Sequence, residues 1–302
     1  MTATGSPQIT CFFHEATNTC TYVVQDGASK HAMIIDSVMD FDSGAGRTGD
    51  VHNKLVEEFC RSNQLEVDYI IETHAHADHL TGANYLAEQF PHAKTAVGEH
   101  IQEVQALFQG VFNLSHKEDK FAPDGSQFDM LLKDNQEFLL GSTPVKVWHT
   151  PGHTPACVSL VVGGDKPYAV FTGDTLFMPD MGTARCDFPG GSVEKLYNSI
   201  QRLYKNLDDD VKVFVGHDYG PGGREMKWET TIGESKQKNK QITASTSLEE
   251  FSKFRSERDA QLNAPKLIIP SLQVNLRNGK LPPPEDNGMV YLKMPVNVIG
   301  AK

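Results

Sequence analysis

Between Thr73 and Leu80 the chain reads THAHADHL, placing His74, His76, Asp78 and His79 almost side by side. Imidazole and carboxylate groups packed this densely repel one another when charged unless they share a cation. The preceding residues 67–71, VDYII, form a short apolar run of the kind that makes a buried strand, and residues 80–84 begin a helical pattern. The cluster therefore falls at the carboxyl end of a strand, where open α/β sheets bind ligands. A lone residue of this kind reads as a polar turn or a helix cap, with Asp78 or Thr73 in the capping role. The whole HxHxDH set asks for a metal.

Elsewhere, strand and helix patterns alternate, which predicts an α/β layer architecture. Residues 9–13 and 19–24 read as a hairpin about the turn formers near Asn18, residues 31–36 as a third strand, and 40–49 as a Gly- and Asp-rich loop. Val51, Leu55 and Phe59 recur at helical spacing. A strand follows at 94–97, then a helix over 101–112 with Val104, Leu107 and Phe108 on one face, and a polar loop over 121–128. Strands at 137–140 and 145–148 turn at Gly141-Ser142, and 158–162 with 168–171 forms a second hairpin. A helix on Leu196, Ile200 and Leu203 leads to a strand at 211–215. Residues 228–262 are Lys- and Glu-rich, with a helical pattern on Leu248, Phe251 and Phe254. Their apolar content is too low for a separate core, so they are expected to pack on the main body, with the charge run 236–240 on a solvated face.

Three of the later strands run into ligand-type residues: TPGHT with His153, TGD with Asp174 and GHD with His217. Strands of one sheet end on a common edge, so His74, His76, Asp78, His79, His153, Asp174 and His217 are expected to converge on one metal site. Asp36 and His149 read as structural, the first bonding loop amides and the second supporting the turn after it.

The formal charge of -11 argues against a nucleic-acid surface and favours small or cationic partners. No apolar run approaches the length of about 18 residues that a membrane span needs. Five cysteines without a CxxC read as reduced thiols of a cytosol-like compartment. The first thirty residues have no targeting pattern, so the expected location is the cytoplasm, or the mitochondrial matrix if a presequence has been removed.

THAHADH, TPGHT, TGD and GHD in that order resemble the metallo-β-lactamase superfamily, whose fold is an αββα sandwich with the metal at one edge of two packed sheets. Within it, the segment TARCDF at 183–188, the triplet His217-Asp218-Tyr219 and the tail segments PSLQVN and LPPPEDNG resemble the glutathione-dependent persulfide dioxygenases (sulfur dioxygenases), in their bacterial form. Cys186 stands where the human-type motif has threonine. The resemblance implies a single domain over 1–302, with a core of about 9–220 and a helical and irregular extension of about 221–302 packed on it.

It further implies one Fe(II) per chain, held by His74, His153 and Asp174, with His76, Asp78, His79 and His217 in the surrounding shell, orienting ligands and moving protons. Arg185 matches the family's glutathione-binding arginine and Tyr219 the tyrosine beside the bound thiol, with Arg277 a further candidate from the tail. Glutathione persulfide and O2 would be consumed with water to give sulfite and glutathione. A sulfurtransferase of the rhodanese type and a second copy of the chain are candidate partners. The residues alone do not choose between one iron and two zincs, so a glyoxalase II-like thioester hydrolase with a dinuclear zinc site is the alternative.

Overall fold

Strand residues in this chain are apolar on both sides, so each sheet has two faces to cover. The computed structural model describes residues 5–114 and 121–299. In chain order the elements are β1 (Gln8–His14), β2 (Thr19–Gln25), β3 (His31–Ile35), β4 (Asp40–Asp42), β5 (Arg47–Gly49), α1 (Val51–Ser62), β6 (Glu66–Glu72), α2 (Ala83–Gln89), β7 (Lys94–Gly98), α3 (Ile101–Phe112) and β8 (Met130–Leu132). They continue with β9 (Glu137–Leu140), β10 (Thr143–His149), β11 (Val158–Val162), β12 (Ala169–Gly173), α4 (Val193–Asn206), β13 (Lys212–Val215), β14 (Glu229–Thr231), α5 (Ile232–Lys238), α6 (Leu248–Asp259) and α7 (Ile268–Asn275).

Two six-stranded sheets result, ordered β1-β2-β3-β6-β7-β8 and β14-β13-β12-β11-β10-β9. The period-2 alternation of strand side chains sorts residues between layers. Cys20, Tyr22, Val24 and Ile71 of the first sheet meet Val145, Leu160, Phe171 and Phe214 of the second in the central core. The intervening Val23, Ile34 and Ile70 face outward against Val56, Cys60 and Leu86 of α1 and α2. Val170, Val213 and Val215 face the other way, against Leu196, Ile200 and Leu203 of α4 and against Ile232 and Phe251 of α5 and α6. The architecture is the αββα sandwich. No helix among the described residues is long and apolar enough to cross a membrane.

Several expectations are corrected. The metal-type residues come from both sheets, not one: the cluster follows β6 in the first, while Asp174 and His217 follow β12 and β13 in the second. Two backbone bonds tie the sheets together there, Cys20 N–H to the Gly216 carbonyl and Val158 N–H to the Thr73 carbonyl, each at 2.9 Å. The helix after the cluster starts at Ala83 behind Gly82 with no side-chain cap, so neither Thr73 nor Asp78 caps it, and Leu80 pairs with Met39 in a β-bridge. The loop over 40–49 contains the β4–β5 hairpin, and β14 extends the second sheet from within the Lys- and Glu-rich segment.

In α1, Val51 and Leu55 are 68% and 52% exposed, and the buried row is His52, Val56 and Cys60 one position on. Adjacent i, i+4 rows lie about 100° apart on a helix, and the less conspicuous row wins because His52 bonds Thr21 Oγ1 at 3.2 Å while its amide bonds Asp40. In α6 only Phe251 of the expected stripe is fully buried, and Arg255 and Asp259 continue its row. Val56→Ala is expected to cost about 2 kcal/mol in chemical denaturation, for two lost methylene-sized groups plus a cavity. Leu55→Ala is expected to stay within about 0.5 kcal/mol. Equal losses would contradict the assignment of the buried row.

Candidate metal centre

Every strand end that carries a candidate ligand reaches one buried edge. Two histidine-rich groups of donors form there, His74, His153 and Asp174 in one and His76, Asp78, His79 and His217 in the other, and Asp36, Glu72 and His76 make a third, with the ligand atoms of each group within 4.8 Å of one another. The glycines of TGD and GHD make the approach possible. At Gly173, with φ +47°, a Cβ would lie 2.4 Å from Thr73 Oγ1, and at Gly216 it would lie 2.8 Å from Asp174 Oδ1.

Three of the histidines are oriented by what their Nδ1 atoms touch. His153 Nδ1 bonds the Arg185 carbonyl at 2.8 Å and His217 Nδ1 the Asn18 carbonyl at 3.1 Å. A carbonyl only accepts, so both rings are protonated at Nδ1 and turn Nε2 toward the donors' centre. His74 Nδ1 meets Thr73 Oγ1 at 3.0 Å, and that hydroxyl donates to Asp36 Oδ2 at 2.9 Å. The inward atoms His74 Nε2, His79 Nε2, His217 Nε2 and Asp174 Oδ1 are buried without a hydrogen-bond partner. Buried polar atoms left this way are costly unless something binds them.

Asp174 Oδ2 lies 3.8 Å from His74 Nε2 and 3.6 Å from His153 Nε2. Ligands about 2.1 Å from one ion stand about 3.0–3.5 Å apart, so a cation draws Asp174 toward either histidine by only a few tenths of an ångström. The donor set fits a metal.

Electrostatics divide the imidazoles. Burial, then His76 and His153, hold the His74 pKa well below its ordinary value, and burial with His76 pushes His79 down to about 4. Both keep their lone pairs at neutral pH. Burial alone would also lower His76, but its Nε2 lies 3.1 Å from Asp36 and 3.2 Å from Glu72, and these carboxylates hold it well above. His217 stands 3.3 Å from both Asp78 and Asp174, which outweigh burial and raise it. Without a cation, protons compensate the carboxylates, and a metal would displace them.

A cavity of about 1500 Å³ opens over the site, reached by His153, Asp174, Asp78, Arg185 and Tyr219. Tyr219 is half exposed, with its ring stacked on His217 at 6.0 Å. The Arg185 fork is taken by Asp187, Nε at 2.5 Å and Nη2 at 2.6 Å, with Nη1 on the Asn263 carbonyl. Arg277 is not among the residues lining the cavity. It is buried, with its guanidinium 4.8 Å from the Phe121 ring centroid, so the tail turns it away from the site. His149 Nε2 spans its turn to the Pro155 carbonyl at 2.8 Å, the supporting role expected of it. Asp36 does bond a loop amide, Thr73 N–H at 2.7 Å, but it also reaches His76 and, through Thr73, His74.

Sequence reasoning missed Glu72 and Asn275. Glu72 closes β6 two residues before His74, and a charged residue ending an apolar strand beside a ligand cluster was its signal. Asn275 donates to the His76 and His79 carbonyls at 2.8 Å and accepts from Thr81 N–H at 2.8 Å, clamping the cluster loop from 199 residues away. Nothing local marks it.

A sequence model described as the metallo-beta-lactamase superfamily matches residues 16–217. The chain belongs to that superfamily. Among curated superfamily relatives it is 48% identical over 277 residues to "Glyoxylase B2" of Dictyostelium discoideum, covering 92% of each chain. It is 28% identical over 267 residues to the mitochondrial persulfide dioxygenase ETHE1 of Homo sapiens, covering 88% of this chain and 87% of that one. The crystal structure of ETHE1 from Myxococcus xanthus superposes with a TM-score of 0.70 at 27% identity, over 90% of this chain and all of that one.

Metal at about a hundred times its dissociation constant is expected to stabilise the fold by about 2.7 kcal/mol, since the unfolded chain lacks the site. Thermal melting with and without a chelator reads this directly, and Asp174→Ala is expected to abolish the difference. A chelator-insensitive melt of metal-loaded wild type would contradict a bound ion.

Proposed function

We propose that the chain is a glutathione persulfide dioxygenase with one Fe(II) on His74, His153 and Asp174. The observation that carries this reading is that two imidazoles and one carboxylate bring one ligand atom each within 4.8 Å of one another, the facial set of non-haem Fe(II) oxygenases. Similarity to the human persulfide dioxygenase and to the Myxococcus ETHE1 structure supports it. The reaction takes glutathione persulfide, O2 and water to sulfite and glutathione. Iron held by these three residues would supply a redox-active centre through which the outer sulfur of the persulfide gives up its electrons to O2, which redox-inert zinc does not.

The chain's own residues bind and orient. The Nδ1 anchors hold His74 and His153 with their lone pairs inward, and Asp78 with His217 keeps a proton at the edge of the cavity. Glutathione carries two carboxylates, and Arg185, Arg258 and Lys266 are cations on the cavity wall of an otherwise acidic protein. Tyr219 offers a hydroxyl on the same wall. Because Arg185 is shared with Asp187, a bound carboxylate competes for the fork. Arg185→Ala is therefore expected to lower kcat/KM by about 30-fold, roughly 2 kcal/mol, without changing iron content. Wild-type kinetics would move glutathione recognition to Arg258 and Lys266.

Thioester hydrolysis on two zinc ions is the second reading, favoured by the donor group His76, Asp78, His79 and His217 and by the 48% identity to a protein named Glyoxylase B2. That chemistry needs a Lewis acid and no O2. An oxygen electrode separates the two. Iron-loaded protein is expected to take up O2 with glutathione persulfide, forming sulfite in about equal amount, to lose this with zinc, and to hydrolyse lactoylglutathione poorly. Rapid lactoylglutathione hydrolysis under nitrogen, with no persulfide-dependent O2 uptake, would establish the hydrolase instead.

A further inference from the structure

The peptide unit joining Arg185 to Cys186 has both polar ends engaged. Its carbonyl accepts from His153 Nδ1 at 2.8 Å, and its N–H donates to Asp259 Oδ2 at 2.8 Å. The peptide is trans, so the two groups point in opposite directions and the carboxylate and the imidazole sit on either side of it. Asp259 lies buried on α6, its other oxygen 2.7 Å from Arg255 Nη2, and Arg255 Nη1 donates to Gln241 Oε1 at 2.9 Å.

We propose that Asp259 is a positioning residue for the metal donor His153, acting through the Arg185–Cys186 peptide. The inference rests on His153 being a metal ligand. A carboxylate at the N–H end of a peptide polarises it and makes its carbonyl a better acceptor, and aligned hydrogen bonds strengthen one another. A better acceptor at Nδ1–H fixes the ring and raises the basicity of Nε2, as a second carboxylate does behind many metal-bound histidines. His74 has the matching arrangement, with the Thr73 hydroxyl as intermediary and Asp36 as the carboxylate. Each histidine of the three-donor group is thus backed by a buried carboxylate one group away. One of these carboxylates comes from beyond residues 16–217, so the carboxyl-terminal extension completes the site.

The plainer role is that Asp259 only neutralises buried Arg255 and anchors α6. That role affects folding stability but not the metal affinity of folded protein. The test measures Co(II) affinity, by competition with a chromophoric chelator, for wild type, Asp259→Asn and the neutral pair Arg255→Gln with Asp259→Asn, alongside melting of each metal-free protein. Both variants are expected to bind Co(II) about 10- to 100-fold more weakly, the usual effect of losing such a partner. The weakening is expected to persist in the neutral pair even where its melting matches wild type. Wild-type affinity in either folded variant overturns the proposal, whereas absence of Co(II) binding by wild type fails the metal reading itself. In wild type, independently of any substitution, the Cys186 amide proton resonance is expected to move downfield when Zn(II) binds, and an unmoved resonance also overturns the proposal.

Discussion

Carboxylates and imidazoles taken out of water must be paired, protonated or bound to a cation, and this chain gathers its largest set of them where two sheets meet. That constraint explains why the edge is built as it is. Cross-sheet backbone bonds at Gly216 and Thr73 bring the strand ends together, and glycines at 173 and 216 remove the side chains that would keep Asp174 away. The remaining charge is balanced locally: His76 takes a proton between Asp36 and Glu72, and His217 stands between Asp78 and Asp174.

The donors are held from behind by groups outside the ligand motifs. Asn275 clamps the cluster loop, Asn18 and Arg185 fix two imidazoles through their carbonyls, and Arg224 grips Asp218 next to His217 with Nη2 at 2.8 Å. Backbone carbonyls fix a tautomer without adding charge. Behind His74 and His153 the carboxylates of Asp36 and Asp259 stand one group further out, whereas His76 meets Asp36 and Glu72 directly.

A protein with a formal charge of -11 lines this cavity with Arg185, Arg258 and Lys266 as well as with Asp40, Asp42, Asp78 and Asp174, a local distribution that a net-charge argument cannot reveal. Arg185, picked out by the motif around it, lines the cavity. Arg277, in an equally suggestive tail, packs on Phe121 instead.

The sequence by itself determined most of the strands, most of the helices and every member of the two histidine-rich donor groups, because strand runs and ligand motifs are local patterns that a few neighbouring residues carry. It left open which sheet each strand joins: β6 and β12 look alike as apolar runs ending in ligands, and only hydrogen-bonded pairing separates them. It left open the buried row of α1, where two i, i+4 rows are close competitors and the contact of His52 with Thr21 decides. Glu72 carried a signal that went unused, whereas Asp259 and Asn275 were invisible as site residues, since a carboxylate or amide acquires its role from the group it meets. For Asp259 and Cys186 that meeting spans 73 residues, and for Asn275 and His76 it spans 199. Only packing of the layers sets those distances, because the interactions that matter act over about 3 Å and nothing in the intervening chain encodes them.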